Sequence, residues 1–151
     1  MTISLETLLA VSAIKDLHVQ FCRANDRLDE ELMRRCFHDD AVIQLHEPLN
    51  VDSFIALGRT ILAQYTVTWH NIGNQTVQVQ GDFAWAEHYT ISSHRIPADA
   101  EGAERDFVAN GRYVDLVEKR NGTWKFKHRQ MVIDFTRTDP VAPAPDGIGV
   151  G

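Results

Sequence analysis

The chain has 151 residues, 44% hydrophobic and 24% charged, the composition of one globular domain with enough apolar material for a real core. Its net charge of −6 argues against nucleic-acid and anionic-membrane partners, because phosphate backbones and acidic lipids repel an acidic surface. No apolar run approaches the roughly 18–20 residues of a membrane span. The segment "MTISLETLLAVSAIKDL" has no basic leader, and Cys22 and Cys36 do not make a secreted disulfide framework, so a cytoplasmic location is expected.

The first third predicts helices. Leu9, Ala13, Leu17, Phe21 and Ala24, with Ile14 beside them, recur at spacings of three and four and mark one apolar face. This helix is expected to end near Asn25-Asp26. Asp29 reads as the N-cap of a second helix, with Glu30 and Glu31 in its first turn and Arg34 and Arg35 in its last, as the helix dipole favours. "HDDAVIQLHE" follows as a turn and a short strand. "NVDSFIALGRTILAQY" predicts a third helix, capped at Asp52 or Ser53, with Phe54, Ile55, Ile61, Leu62 and Tyr65 inward and Gly58 a weak point inside it.

The remainder reads as sheet, with strands over 66–80, 82–95, 104–119 and 123–137. Asn121-Gly122 is a strong hairpin signal, since a type I′ turn needs two positive φ angles. "PADAEGAE" reads as a longer hairpin loop. Strands of this length must twist and coil. The fold class expected is α+β: amino-terminal helices packed in the concave face of a strongly curved, mostly antiparallel sheet, with an apolar pocket between the layers. The domain is expected over 1–137, leaving 138–151 as a Pro- and Gly-rich tail.

No P-loop, dinucleotide fingerprint, nucleophile elbow or C-x-x-C is present. The seven histidines form no H-E-x-x-H. His88 and His94 lie six apart on one strand face, too far to share an ion without partners, so neither a metal nor another cofactor is expected. Strand parity puts Trp85, Glu87, Tyr89 and Ile91 on one face of the second long strand and Ala86, His88, Thr90, Ser92 and His94 on the other. In the last strand, Arg129, Met131, Ile133 and Phe135 share the more apolar face, which is expected to point at the helices. Arg129 there reads either as near the buried side or as a rim residue whose stem covers apolar surface while its head reaches water. Asp26 reads either as a helix-terminating turn residue or as a carboxylate at the pocket mouth, and nothing in the spacing brings it to His70.

Three segments carry a family resemblance: "SAIKDLHVQFCRANDRLDEELMRRCFHDDAVI", "HNIGNQTVQVQGDFAWAEHYT" and "GRYVDLVEKRNGTWKFKHRQMVIDF". Together they resemble the SnoaL-like branch of the nuclear transport factor 2-like superfamily, over nearly everything from Leu5 to Arg137. Scytalone dehydratases, bile-acid 7α-dehydratases and hexachlorocyclohexane dehydrochlorinases in this branch are cofactor-free eliminases. They share an aspartate after the first helix and a histidine at the start of a long strand, matched here by Asp26 and His70. The resemblance implies a cofactor-independent lyase or isomerase acting on a hydrophobic cyclic small molecule, with His70 moving the proton and Asp26 orienting it. Substrate-specific groups differ. The dehydratase tyrosine and the dehydrochlorinase lysine both fall at Phe21, the second acid near Ser93, the dehydratase arginine near Ile133 and the dehydrochlorinase arginine near Lys127.

Help for the leaving group must then come from Tyr89, Arg129, Lys127, Tyr113, His18 or His46. Tyr89 is the first choice, on the reasoning that its strand face agrees with the pocket, although it also reads as a core aromatic. Phe21, Trp85, Arg129, Met131 and Ile133 are the expected substrate-binding residues. The relatives also imply a homodimer or homotrimer. A non-catalytic binding domain, the small structural subunit of a ring-hydroxylating dioxygenase, and an isomerase with Asp26 itself as base are the alternatives.

Overall fold

The computed structural model describes residues 3–100 and 102–142. Helix α1 (Leu5–Arg27) begins at Ser4, whose hydroxyl accepts from the Thr7 N–H. It ends where Leu28 turns left-handed at φ 51°, with the Asp29 N–H reaching back to the Ala24 carbonyl at 2.9 Å. Its buried stripe is Ala10, Ile14, Leu17, His18, Phe21, Cys22, Ala24 and Asn25, while Leu9 and Ala13 face solvent. The stripe is rotated from the expected one because it includes two polar residues, His18 and Asn25, which hydropathy counts as outward.

Helix α2 (Glu30–Arg35) is capped as expected by Asp29, which accepts from the Leu32 N–H at 2.9 Å. Strands β1 (Phe37–Gln44) and β2 (Pro48–Leu49) lead into α3 (Val51–Leu62). Asn50 caps α3, ahead of the expected Asp52 or Ser53, by accepting from the Ser53 N–H. Val51 and Ile55 are its buried residues, and Ile61 stays half-exposed. Four long strands follow: β3 (Val67–Gln80), β4 (Phe83–Ile96), β5 (Arg105–Arg120) and β6 (Thr123–Pro140). Asn121 and Gly122 close the β5–β6 turn at φ 51° and 80°. Strand β6 runs past 137 into the stretch expected as tail, and from residue 143 onward that stretch lies outside the described residues.

The six strands form an open mixed sheet in the order β2-β1-β6-β5-β4-β3; β1 runs parallel to β6 and every other neighbouring pair is antiparallel. The fold is therefore the expected α+β type. Ile14 and Phe21 of α1 meet Phe37, Ile43, Val117 and Phe126 of the sheet in a core at most 1% exposed. Each such side chain contributes about 1.5–3 kcal/mol on burial.

The face of β4 that turns inward departs from expectation. On β4 the residues buried against the helices are Ala84, Ala86, His88, Thr90, Ser92 and His94, whereas Trp85, Tyr89 and Ile91 are about half or more exposed. The apolar face of this strand is its outer face. Small and hydrogen-bonding side chains fit the tight concave side, where the helices sit close, and the bulky ones are left outside. On β6 a bulge opposite Leu116–Val117 inserts Lys127, so that Phe126 and Arg129 both point inward although three residues apart.

Candidate active site

The C-terminal turn of α1 and the start of β3 hold the central pair. The ring of His70 lies with Nδ1 at 2.7 Å from Asp26 Oδ1, and the backbone N–H of His70 donates to both Asp26 oxygens at 3.0 and 3.2 Å. An ionised carboxylate only accepts, so Nδ1 carries the proton in this arrangement. The side chains are 7% and 18% exposed. With Nδ1 committed to Asp26, Nε2 is the ring nitrogen left for the space between helices and sheet. That space is a cavity of about 310 Å³ to which His70 contributes one wall. Asp26 stands behind the histidine and borders instead an outer groove between α1 and β3.

Four of the five expected substrate-binding residues line the cavity: Phe21, Arg129, Met131 and Ile133. Trp85 does not, and neither does Tyr89, the expected third catalytic residue. Both sit on the outer face of β4, 61% and 47% exposed, which corrects their assignment to the pocket. Lys127 is tied to Asp40 on the surface, and His46 is exposed.

The parity that removes Tyr89 brings in His94, which the sequence reading set on the outward face. His94 is 7% exposed and lines the cavity with Ser92. Its ring lies 5.4 Å from that of His70 and 4.8 Å from that of Tyr65, and its buried Nδ1 has no hydrogen-bond partner. Burial first, and then the neighbouring His70, push its pKa down to about 4, so it faces the cavity as a neutral imidazole. The signal available was the run of small residues sharing its face.

Arg129 is not the rim residue of one sequence reading: it is fully buried at the cavity floor. Its Nε and Nη2 donate to the two Asp115 oxygens at 2.8 and 3.0 Å, and Nη2 also donates to His88 Nε2 at 2.8 Å. The rings of Phe21, Phe126 and Tyr113 stand 3.9, 4.0 and 4.3 Å from the guanidinium carbon. Burial would raise the Asp115 pKa, but the Arg129 charge and hydrogen bonds, with His18 Nε2 close by at 3.4 Å, outweigh it and hold the carboxylate ionised. Burial, and then the Arg129 charge, lower His88 to about 3, which keeps Nε2 free to accept.

His18 completes the cluster. Gln75 Nε2 donates to its Nδ1 at 3.1 Å, which leaves Nε2–H facing Asp115 Oδ2 at 3.4 Å. His18, His88 and Asp115 bring three potential metal-ligating atoms within 4.8 Å of one another. The guanidinium already bonds to both oxygens of that aspartate and to His88, so an ion there would have to displace a buried cation. Arg129 lines the cavity, and its buried Nη1 has no hydrogen-bond partner in the protein.

Residues 6–130 match the family profile described as a SnoaL-like domain. The chain belongs to the SnoaL-like family. Among curated proteins, none matches its sequence significantly. Solved structures share the fold of this SnoaL-like chain at low identity. A type 2 hexachlorocyclohexane dehydrochlorinase (LinA) is 21% identical with a TM-score of 0.82, covering 95% of this chain and 99% of its own. The LinA-type3 dehydrochlorinase of Novosphingobium barchaimii is 18% identical with a TM-score of 0.78, covering 97% of each chain. A scytalone dehydratase-like protein of Novosphingobium aromaticivorans is 22% identical with a TM-score of 0.76, covering 95% of this chain and 97% of its own. These likenesses establish the cone-shaped fold of the nuclear transport factor 2-like superfamily. Among the described residues, no helix is long and apolar enough to cross a membrane.

Proposed function

We propose that this SnoaL-like chain is a cofactor-independent lyase or isomerase of dehydratase type, acting on a hydrophobic cyclic small molecule. The observation that carries the proposal is the double engagement of Asp26 with the backbone and ring of His70, which leaves Nε2 to the cavity. In this reading the ring removes a proton from carbon through Nε2 while Asp26 fixes the tautomer and stabilises the imidazolium that forms. The departing group, or the oxygen that gains charge, meets Arg129 Nη1, and neutral His94, beside His70, donates or accepts a further hydrogen bond. The walls of Phe21, Phe54 and Met131 hold the carbon skeleton and keep water away.

An isomerase with Asp26 as its base is less well supported, because Asp26 is spent on His70 and does not line the cavity. Two free, buried cysteines suit a reducing cytoplasm. The experiment is a screen of cyclic carbon acids carrying a β-hydroxyl or β-halide, read by mass spectrometry, with wild type beside His70→Gln. Loss of water or hydrogen halide by wild type alone supports the proposal. Binding without any turnover by wild type would favour a non-catalytic pocket and overturn it.

A further inference from the structure

Helix α3 carries a glycine that its own geometry does not call for. Gly58 stands in the helix interior, where glycine is the least favourable residue after proline. Gly111 of β5 shows the contrast, because a Cβ there would run into the backbone of Val132. A Cβ on Gly58 would meet no neighbouring heavy atom within 4 Å. Neither a positive φ nor a close approach requires this glycine, so what it provides is space.

That space lies between two cavities. Phe54, Gly58 and Leu62 follow at intervals of four, form one ridge of α3 and line both cavities. On one flank of the ridge, Leu57 and Ile61 line the cavity of His70. On the other, Ile55 and Arg59 line a second cavity of about 140 Å³. Asn25 of α1 also borders both, so the divide runs between α1 and α3, and Gly58 is the notch in it.

The second cavity suits an apolar group. Leu28, Met33 and Ile55 are among its walls. The charged residues at its edge are already engaged: Arg59 donates to Glu30 at 3.0 Å, and Asp29 accepts from the Leu32 N–H. A dry apolar cavity of about 150 Å³ takes a benzene-sized group. An aliphatic arm of roughly four to six carbons has the size and polarity to fill such a space.

We propose that Gly58 sets which ligands the protein takes, by opening the His70 cavity to a side chamber that holds an apolar arm carried on the ring. The inference rests on the reading of the His70 cavity as the site of a hydrophobic cyclic ligand, and it makes that ligand an alkyl-substituted ring. The test is isothermal titration calorimetry of wild type, Gly58→Ala and Gly58→Leu with 3- and 4-alkylcyclohexanones, methyl through pentyl.

In at least one of the two series, wild type is expected to bind about fourfold more tightly per added methylene. Gly58→Leu is expected to hold the methyl ketone within about twofold of wild type, and to bind the pentyl ketone at least about 30-fold more weakly. Gly58→Ala fills one methyl's worth of the notch and is expected to weaken the pentyl ketone about fourfold. It is also expected to melt about 2–4 °C above wild type, the gain from alanine in a helix.

Gly58→Ala melting below wild type would show that the fold needs the glycine, and overturns the proposal. A pentyl ketone that Gly58→Leu weakens no more than the methyl ketone overturns the side chamber while the reading of the His70 cavity stands. Methyl ketones that wild type does not bind overturn that reading, and this inference with it.

Discussion

Asp26 accepts from the same histidine twice, once from the backbone N–H of His70 and once from its ring, so one carboxylate fixes both the position and the tautomer of the imidazole. Removing it frees both. In Asp26→Ala the ring is expected to populate the two neutral tautomers, whereas wild type holds Nδ1–H alone. Nitrogen-15 shifts of the His70 side chain read this without any substrate. On a substrate, Asp26→Asn is expected to cost on the order of 10³–10⁴ in kcat with little change in KM, as for an orienting carboxylate in other histidine-based sites.

Stability is expected to fall on mild acidification. His88 and His94 have folded pKa values of about 3 and about 4, against an ordinary value of 6.5, so below 6.5 the unfolded chain binds more protons than the folded one. The stabilisation is fully present above about pH 6.5 and is lost as pH drops towards 4, by at most about 1.4 kcal/mol per pH unit for each histidine. His18, lowered mainly by burial, adds in the same direction. Asp115 contributes nothing to this window, because its lowered pKa matters only below the ordinary carboxylate range. Urea unfolding at a series of pH values should show the slope, and His94→Asn should remove one histidine's share of it.

The buried Arg129–Asp115 pair gives an unequal set of variants. Asp115→Leu strands a guanidinium that is fully buried, and a loss of about 3–5 kcal/mol is expected. Arg129→Met strands the carboxylate and should cost a similar amount. The double variant removes both charges and is expected to lose much less than the sum of the two, with chemical denaturation as the readout.

Tyr89→Phe is expected to leave turnover unchanged, since the hydroxyl lies on the far side of the sheet from the cavity. Tyr113, which does line the cavity, is the informative contrast: Tyr113→Phe should change KM or kcat. Steady-state kinetics of the two variants side by side decides between the faces.

The sequence carried the order of elements, the Asp29 cap and the Asn121-Gly122 turn, because each depends on chemistry within a few residues. It also carried Asp26 and His70, although only through family resemblance: their pairing spans 44 residues and leaves no local trace. Facing was lost where hydropathy misleads. His18, His88 and His94 look like surface residues and are buried, while Trp85 and Ile91 look like core and are not. A concave sheet with helices close above it selects small and polar side chains for its inner face, which inverts the usual rule. The burial of Arg129 was left open for a related reason. A lone arginine on an apolar strand gives no sign that Asp115 on the next strand and His88 on the one beyond wait to hold it.

The central claim is that His70 Nε2 moves the proton, and the direct measurement is carbon-proton exchange. A cyclic ligand of the cavity with an acidic C–H is incubated in D₂O with wild type and with His70→Gln, and its mass is followed. Wild type is expected to exchange or eliminate that proton, and His70→Gln to bind the ligand while reacting at least about 10³-fold more slowly. Equal rates in the two proteins would contradict the account.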